Sequence, residues 1–220
     1  ILRVYTLVFG PEVAVVEGLV DNWLLPAALL TIAIGAIGVL GSKDIGRLMS
    51  FGAITSVGTL LTAIALFTPE ATAAALYYTV HSTLAAAALF LVADIVGGCQ
   101  GGEIAPKPVM AQSGLISVLF FVAAIATAGM PPLSGFLGKL LILDAARDST
   151  LVVWVWAVIL ISSLITIMGF ARAGTLIFWK SHGLTQDHSL EEPEIELEQA
   201  DQADAPRAPR APALPFVACF

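Results

Sequence analysis

Five apolar runs, at about 22–41, 45–67, 71–97, 113–146 and 151–179, each reach or exceed the ~20 residues an α-helix needs to cross hydrocarbon. In lipid the backbone N–H and C=O groups of a spanning segment must be satisfied without water, which leaves helices as the fold for runs of this kind. The chain is 58% hydrophobic and 12% charged, against about 45–50% and 25% for a soluble domain. The expected fold class is therefore all-α, a polytopic transmembrane helix bundle. Two shorter apolar ends, ILRVYTLVFG at the start and LPFVACF at 214–220, read as parts of further spans. The expected organisation is a transmembrane domain over 1–180, a linker over 181–213 and the start of a truncated transmembrane helix over 214–220.

Charge supports that division. The net charge is −7, but eight acids and no Lys or Arg lie between Asp187 and Asp204. Without that segment and the Arg207 and Arg210 that follow, acids and bases nearly balance, so the acidity belongs to the linker. Its acidic, Pro- and Ala-rich composition buries too little apolar surface to fold alone, and a disordered linker is expected. Lys43 and Arg47, Lys107, and Lys180 fall in alternate connections, whereas Glu70 and the group Asp144, Arg147 and Asp148 fall in the intervening ones. By the positive-inside rule the lysine-bearing connections, and the linker after Lys180, face the cytoplasm. Cys99 and Cys219 show neither redox nor metal-ligand spacing and are assigned no role.

The 113–146 run is too long for one straight crossing and carries Gly129, Pro131, Pro132 and Gly135 in its middle. Proline removes a backbone donor and clashes with the preceding turn, so a helix broken at membrane depth is expected. Such a break is tolerated only where protein or a water-filled cavity satisfies the freed groups. Lys139 follows it directly, and an ionisable side chain at that depth marks an ion or proton path by default. His81, in the third run, can both accept and donate a proton. Asp94 lies thirteen residues further along the same run, about 20 Å away at 1.5 Å per residue. Tyr77, Tyr78, Thr79, Ser82 and Thr83 surround His81 in sequence and are candidate partners for its ring or for water. Each of the three ionisable residues has a plainer reading: Lys139 snorkelling to an interface, His81 as a bonded core histidine, Asp94 as a solvated acid at a helix end. Nucleotide loops, dinucleotide fingerprints, hydrolase elbows and metal-spaced clusters are missing from the sequence, so neither cofactor nor metal is expected and the moved species is an ion or proton.

Three stretches carry a resemblance: SKDIGRLMSFGAITSVG, HSTLAAAALFLVAD and GMPPLSGFLGKLLIL. They resemble, in order and interval, the antiporter-like membrane subunits shared by Mrp-type monovalent cation/proton antiporters and respiratory complex I, with the likeness covering about residues 1–180. The resemblance implies an inverted-repeat fold of about fourteen helices, this chain covering the second repeat, each repeat with one broken helix. It implies that Lys139 matches the broken-helix lysine and His81 the histidine of the preceding helix on a proton path. Gly46 and Ala85 stand where relatives often carry lysines, so the central chain of charges is thinner than in a generic complex I subunit. The implied function is a subunit of a multi-subunit Na⁺ or K⁺/proton antiporter in a bacterial inner membrane. Its implied partners are other subunits of the same complex, protons, Na⁺ or K⁺ and the lipid bilayer, with no nucleic acid. Two alternatives stand beside it: a proton-pumping membrane-arm subunit of complex I or a related hydrogenase, and a structural membrane subunit.

Overall fold

Two helix starts fall where the sequence supplies a capping side chain. The computed structural model describes residues 21–106 and 112–179. In chain order these form α1 (Asp21–Gly41), α2 (Ile45–Ala65), α3 (Pro69–Gln100), α4 (Ser113–Ala128), α5 (Ser134–Ala145) and α6 (Val152–Gly174), which runs on into a π-helical turn, Thr175–Trp179. Asp44 takes an extended conformation before α2 and accepts from the Arg47 N–H at 3.1 Å. Thr68 does the same for α3, accepting from the Ala71 N–H at 3.1 Å, with Pro69 opening the helix where its missing donor costs nothing. Among the described residues the structure is all-α, with a lone antiparallel bridge between Asp44 and Glu103 and no strand.

Four helices, α1, α2, α3 and α6 with its extension, are long and apolar enough to cross a membrane. α4 and α5, with 16 and 12 residues, rise about 24 and 18 Å at 1.5 Å per residue, each short of the ~30 Å hydrocarbon core. The connections show how they cross. The Ile45 N–H donates to Gly102 O and the Ile104 N–H to Lys43 O, both at 2.8 Å. Arg172 Nη2 donates to Ser42 O at 2.7 Å. The α1–α2 connection, the α3–α4 connection and the last turns of α6 therefore meet at one end of the bundle. α4 starts from that end and α6 returns to it, so α4 and α5 together make one interrupted crossing. The first partial span, Lys107, Lys180, the linker and the terminal apolar segment lie outside the described residues.

Helices surrounded by lipid gain little from excluding water and associate through close packing and hydrogen bonds. α1 and α2 pack closely: a Cβ on Gly58 would sit 2.7 Å from Ile32 Cγ1 and 2.8 Å from Ile32 N. Buried hydroxyls on α2 are satisfied within the helix, Thr59 donating to Thr55 O and Thr62 to Gly58 O, each at 3.0 Å. Two apolar cores result. Phe120, with Phe170 and Phe178 against it at ring separations of 6.2 and 5.6 Å, centres one near the lysine-bearing end. Ile32, Tyr78, Ile142 and Ile159 build the other. Ala123 and Ala124 of α4 belong to the first core, Ile142 and Leu143 of α5 to the second, and the interruption lies between them.

Candidate ion-translocation site at a broken helix

An α-helix leaves its last four carbonyls without intrahelical donors. α4 ends on Gly129, whose left-handed backbone (φ +75°) suits glycine. The turn is a Schellman motif: the Gly129 N–H reaches Ala126 O at 3.1 Å and the Met130 N–H reaches Ile125 O at 3.2 Å. The carbonyl at the very end, Ala128 O, receives a side chain instead. Lys139 Nζ donates to it at 2.7 Å and to Ser163 Oγ of α6 at 2.9 Å. The lysine is only 7% exposed, which places its ammonium inside the bundle and excludes the snorkelling reading. It also meets the negative end of the α4 dipole, where a cation is favoured. Gly129 leaves the room, since a Cβ there would lie 2.7 Å from Lys139 Cδ.

His81 reaches the same turn from α3. Its Nε2 lies 3.1 Å from Ala126 O and its Nδ1 2.8 Å from the Oγ of Ser134, the first residue of α5. The ring thus bridges the two half-helices. It rests against the first turn of α5, where a Cβ on Gly135 would lie 2.6 Å from Nε2 and would also collide with Ala126 O. Tyr78, one turn earlier, is buried and tilts against the imidazole at a ring separation of 5.9 Å. Its phenol faces the hydroxyls of Ser56 and Thr59 on α2.

The arrangement brings Lys139 and His81 onto carbonyls two residues apart, at the end of one half-helix. Pro131 and Pro132 occupy the connecting turn, joined by a cis peptide bond, and Gly129 and Gly135 flank it. Asp94 is not brought to this place. It lies exposed toward the lysine-bearing end of α3, lining an open cavity of about 320 Å³ with Asp44, Gly46 and Gly102. The hydroxyls next to His81 in sequence do not bond its ring either: Thr79 donates to Ala75 O at 2.7 Å, Ser82 to Thr79 O at 3.2 Å and Thr83 to Thr79 O at 2.8 Å. On a helix, hydroxyls find their own backbone first. The residues that do hold the two ionisable groups, Ser134 and Ser163, were not singled out by sequence reasoning. Ser163 carried a usable signal, as half of a serine pair inside the apolar run of α6. Among the described residues no three His, Cys, Asp or Glu side chains group to hold a metal ion.

Residues 2–166 match the family described as NADH:quinone oxidoreductase/Mrp antiporter, TM. The chain belongs to that family. It is 32% identical to the D-type subunit of a probable K⁺/H⁺ antiporter of Rhizobium meliloti strain 1021, across 82% of this chain and 39% of that protein. It is 33% identical to the D-type subunit of the Na⁺/H⁺ antiporter of Bacillus subtilis strain 168, across 81% of this chain and 36% of that one. The chain thus spans less than two fifths of the length of these curated relatives. Among solved structures, a chain of the Mrp complex from Dietzia sp. DQ12-45-1b superposes with a TM-score of 0.69 at 28% identity, covering 80% of this chain and 32% of that one. A chain of respiratory complex I from Thermus thermophilus superposes with a TM-score of 0.72 at 25% identity, covering 81% and 38%.

Proposed function

We propose that this chain is part of a D-type subunit of a multi-subunit Na⁺ or K⁺/proton antiporter in a bacterial cell membrane, and that it supplies a proton path through the α4–α5 break. The observation that carries the reading is Lys139, buried between Ala128 O and Ser163 Oγ at the end of a half-helix. As an ammonium it donates to both acceptors; after losing a proton it offers a lone pair to a donor arriving on one side of the membrane. His81, bonded two carbonyls earlier, is the next exchange group, with water completing the gap between the two side chains. Asp94, in the cavity at the cytoplasmic end, is the group through which that side is reached. Partner subunits would couple this proton movement to cation movement in the opposite direction.

A second reading, a proton-pumping arm subunit of a redox-driven complex, is favoured by the equally good superposition on the complex I chain. One experiment separates them. The complete protein with its operon partners is placed in everted vesicles from a host lacking its own Na⁺/H⁺ antiporters, a respiratory pH gradient is established, and fluorescence dequenching is recorded on adding Na⁺ or K⁺. The expected result is cation-dependent dequenching that is lost in an assembled Lys139→Ala complex. Dequenching with neither cation would move the assignment to the redox-driven complex, and dequenching unchanged in the variant would remove Lys139 from the path.

A further inference from the structure

The contacts of His81 determine which of its nitrogens exchanges a proton. A backbone carbonyl only accepts, so at Ala126 O the Nε2 atom must carry hydrogen in both charge states of the ring. Neutral His81 therefore has a bare Nδ1, and the partner of Nδ1 is Ser134 Oγ at 2.8 Å. A hydroxyl both donates and accepts, so it can serve either state of Nδ1 by turning. Ser134 is an exposed residue of the described chain, whereas His81 is half-buried. The ionisable groups that face the ring are Lys139 from α5 and the Tyr78 phenol from its own helix, and α4 has no titratable side chain. Neither Lys139 nor Tyr78 bonds Nδ1.

We propose that Ser134 is the relay group of His81: its hydroxyl faces the Nδ1 that the Ala126 O contact leaves bare in the neutral ring, and delivers the proton that charges it. In the loading step the Ser134 Oγ–H bond breaks as the Nδ1–H bond forms, while a hydronium ion at Oγ gives that oxygen a replacement proton. One proton arrives at the ring, one positive charge passes from water to imidazolium, and Ser134 ends as a neutral hydroxyl that accepts from Nδ1–H. Unloading is the reverse. Nε2 never leaves Ala126 O, so the bridge between the half-helices persists through the cycle. The proposal rests on the reading of His81 as a path residue and adds the atom and the neighbour through which it works.

The test uses the assembled complex in lipid nanodiscs with ¹⁵N-labelled histidine, the His81 signals being assigned by their loss in His81→Gln. The expected wild-type spectrum at alkaline pH shows His81 as a single neutral tautomer, hydrogen on Nε2 and none on Nδ1. In Ser134→Ala the neutral tautomer, set at Ala126 O, is unchanged, but exchange between the neutral and imidazolium signals slows at least tenfold and cation-driven proton flux in everted vesicles falls by a similar factor; Ser134→Thr, which keeps the hydroxyl, restores most of both. A wild-type neutral ring with hydrogen on Nδ1 would overturn the proposal, as would Ser134→Ala with wild-type exchange between the two charge states or with wild-type flux. Full flux in His81→Gln would defeat the path reading itself, and the exchange rates in wild type and Ser134→Ala would still report whether Ser134 carries protons to Nδ1.

Discussion

Lys139 and Gly129 constrain each other at the level of single atoms. The αL backbone at Gly129 costs a residue with a Cβ roughly 1–2 kcal/mol, and the added carbon would press on Lys139 Cδ at 2.7 Å. Gly129→Ala is expected to lower resistance to SDS-induced unfolding by about 2 kcal/mol or more, and to lose part of that penalty when Lys139→Ala is made as well. A double-mutant cycle on the unfolding curves reads the coupling directly, and strict additivity would mean the two residues do not press on one another. Ser163→Ala offers a second check. It removes one of the two acceptors of the Lys139 ammonium, and a buried charge-assisted bond contributes about 1.5–3 kcal/mol. Flux in the everted-vesicle assay is expected to drop several-fold while Ser163→Thr, with its hydroxyl retained, stays near wild type. These partners explain why the site was half legible in the sequence. Lys139 and His81 stand out because charge and imidazole are rare in apolar runs, and the Gly and Pro cluster marks a break. Their acceptors do not stand out, since Ala126 O and Ala128 O are backbone atoms and Ser134 lies 53 residues from His81.

At the scale of elements, span positions were readable because hydropathy alone must cover the membrane thickness. The expected runs at 45–67 and 71–97 became α2, Ile45–Ala65, and α3, Pro69–Gln100, the differences set by caps that hydropathy ignores. Arg172 shows the opposite case. Nothing in the sequence names its partner, and only the folded chain shows it donating to Ser42 O, just past the end of α1. α3 is the longest helix of the group, 32 residues, and carries His81 and Asp94 from one capped start. Thr68→Ala removes the acceptor for the Ala71 N–H and is expected to cost about 1 kcal/mol. Thr68→Ser is expected to cost little, and neither change should alter flux once the protein is assembled. Thermal unfolding in detergent checks the first claim and vesicle assays the second. A flux defect in Thr68→Ala at normal assembly would show that the start of α3 does more than begin a helix.

For the whole molecule, the backbone ties between the 42–45 and 102–104 segments put two loops and the end of α6 on one face, leaving Asp144, Arg147 and Asp148 on the other. By the positive-inside rule, Lys43 and Arg47 predict that the first face is cytoplasmic. In a complex with Cys99 and Cys219 changed to serine, a single cysteine at Gly102 is expected to react with a membrane-impermeant maleimide only in everted vesicles, and one at Ser149 only in right-side-out vesicles. The reverse pattern would invert the assignment. The ammonium of Lys139 also has a history within each chain's synthesis. Its first acceptor, Ala128 O, lies 11 residues earlier, whereas Ser163 lies 24 residues later. As the nascent chain leaves the ribosome, α4 and α5 emerge before α6, so one acceptor of that ammonium is made before it and the other after it. The pocket of Lys139 is thus complete only once the helix after the broken crossing is in place.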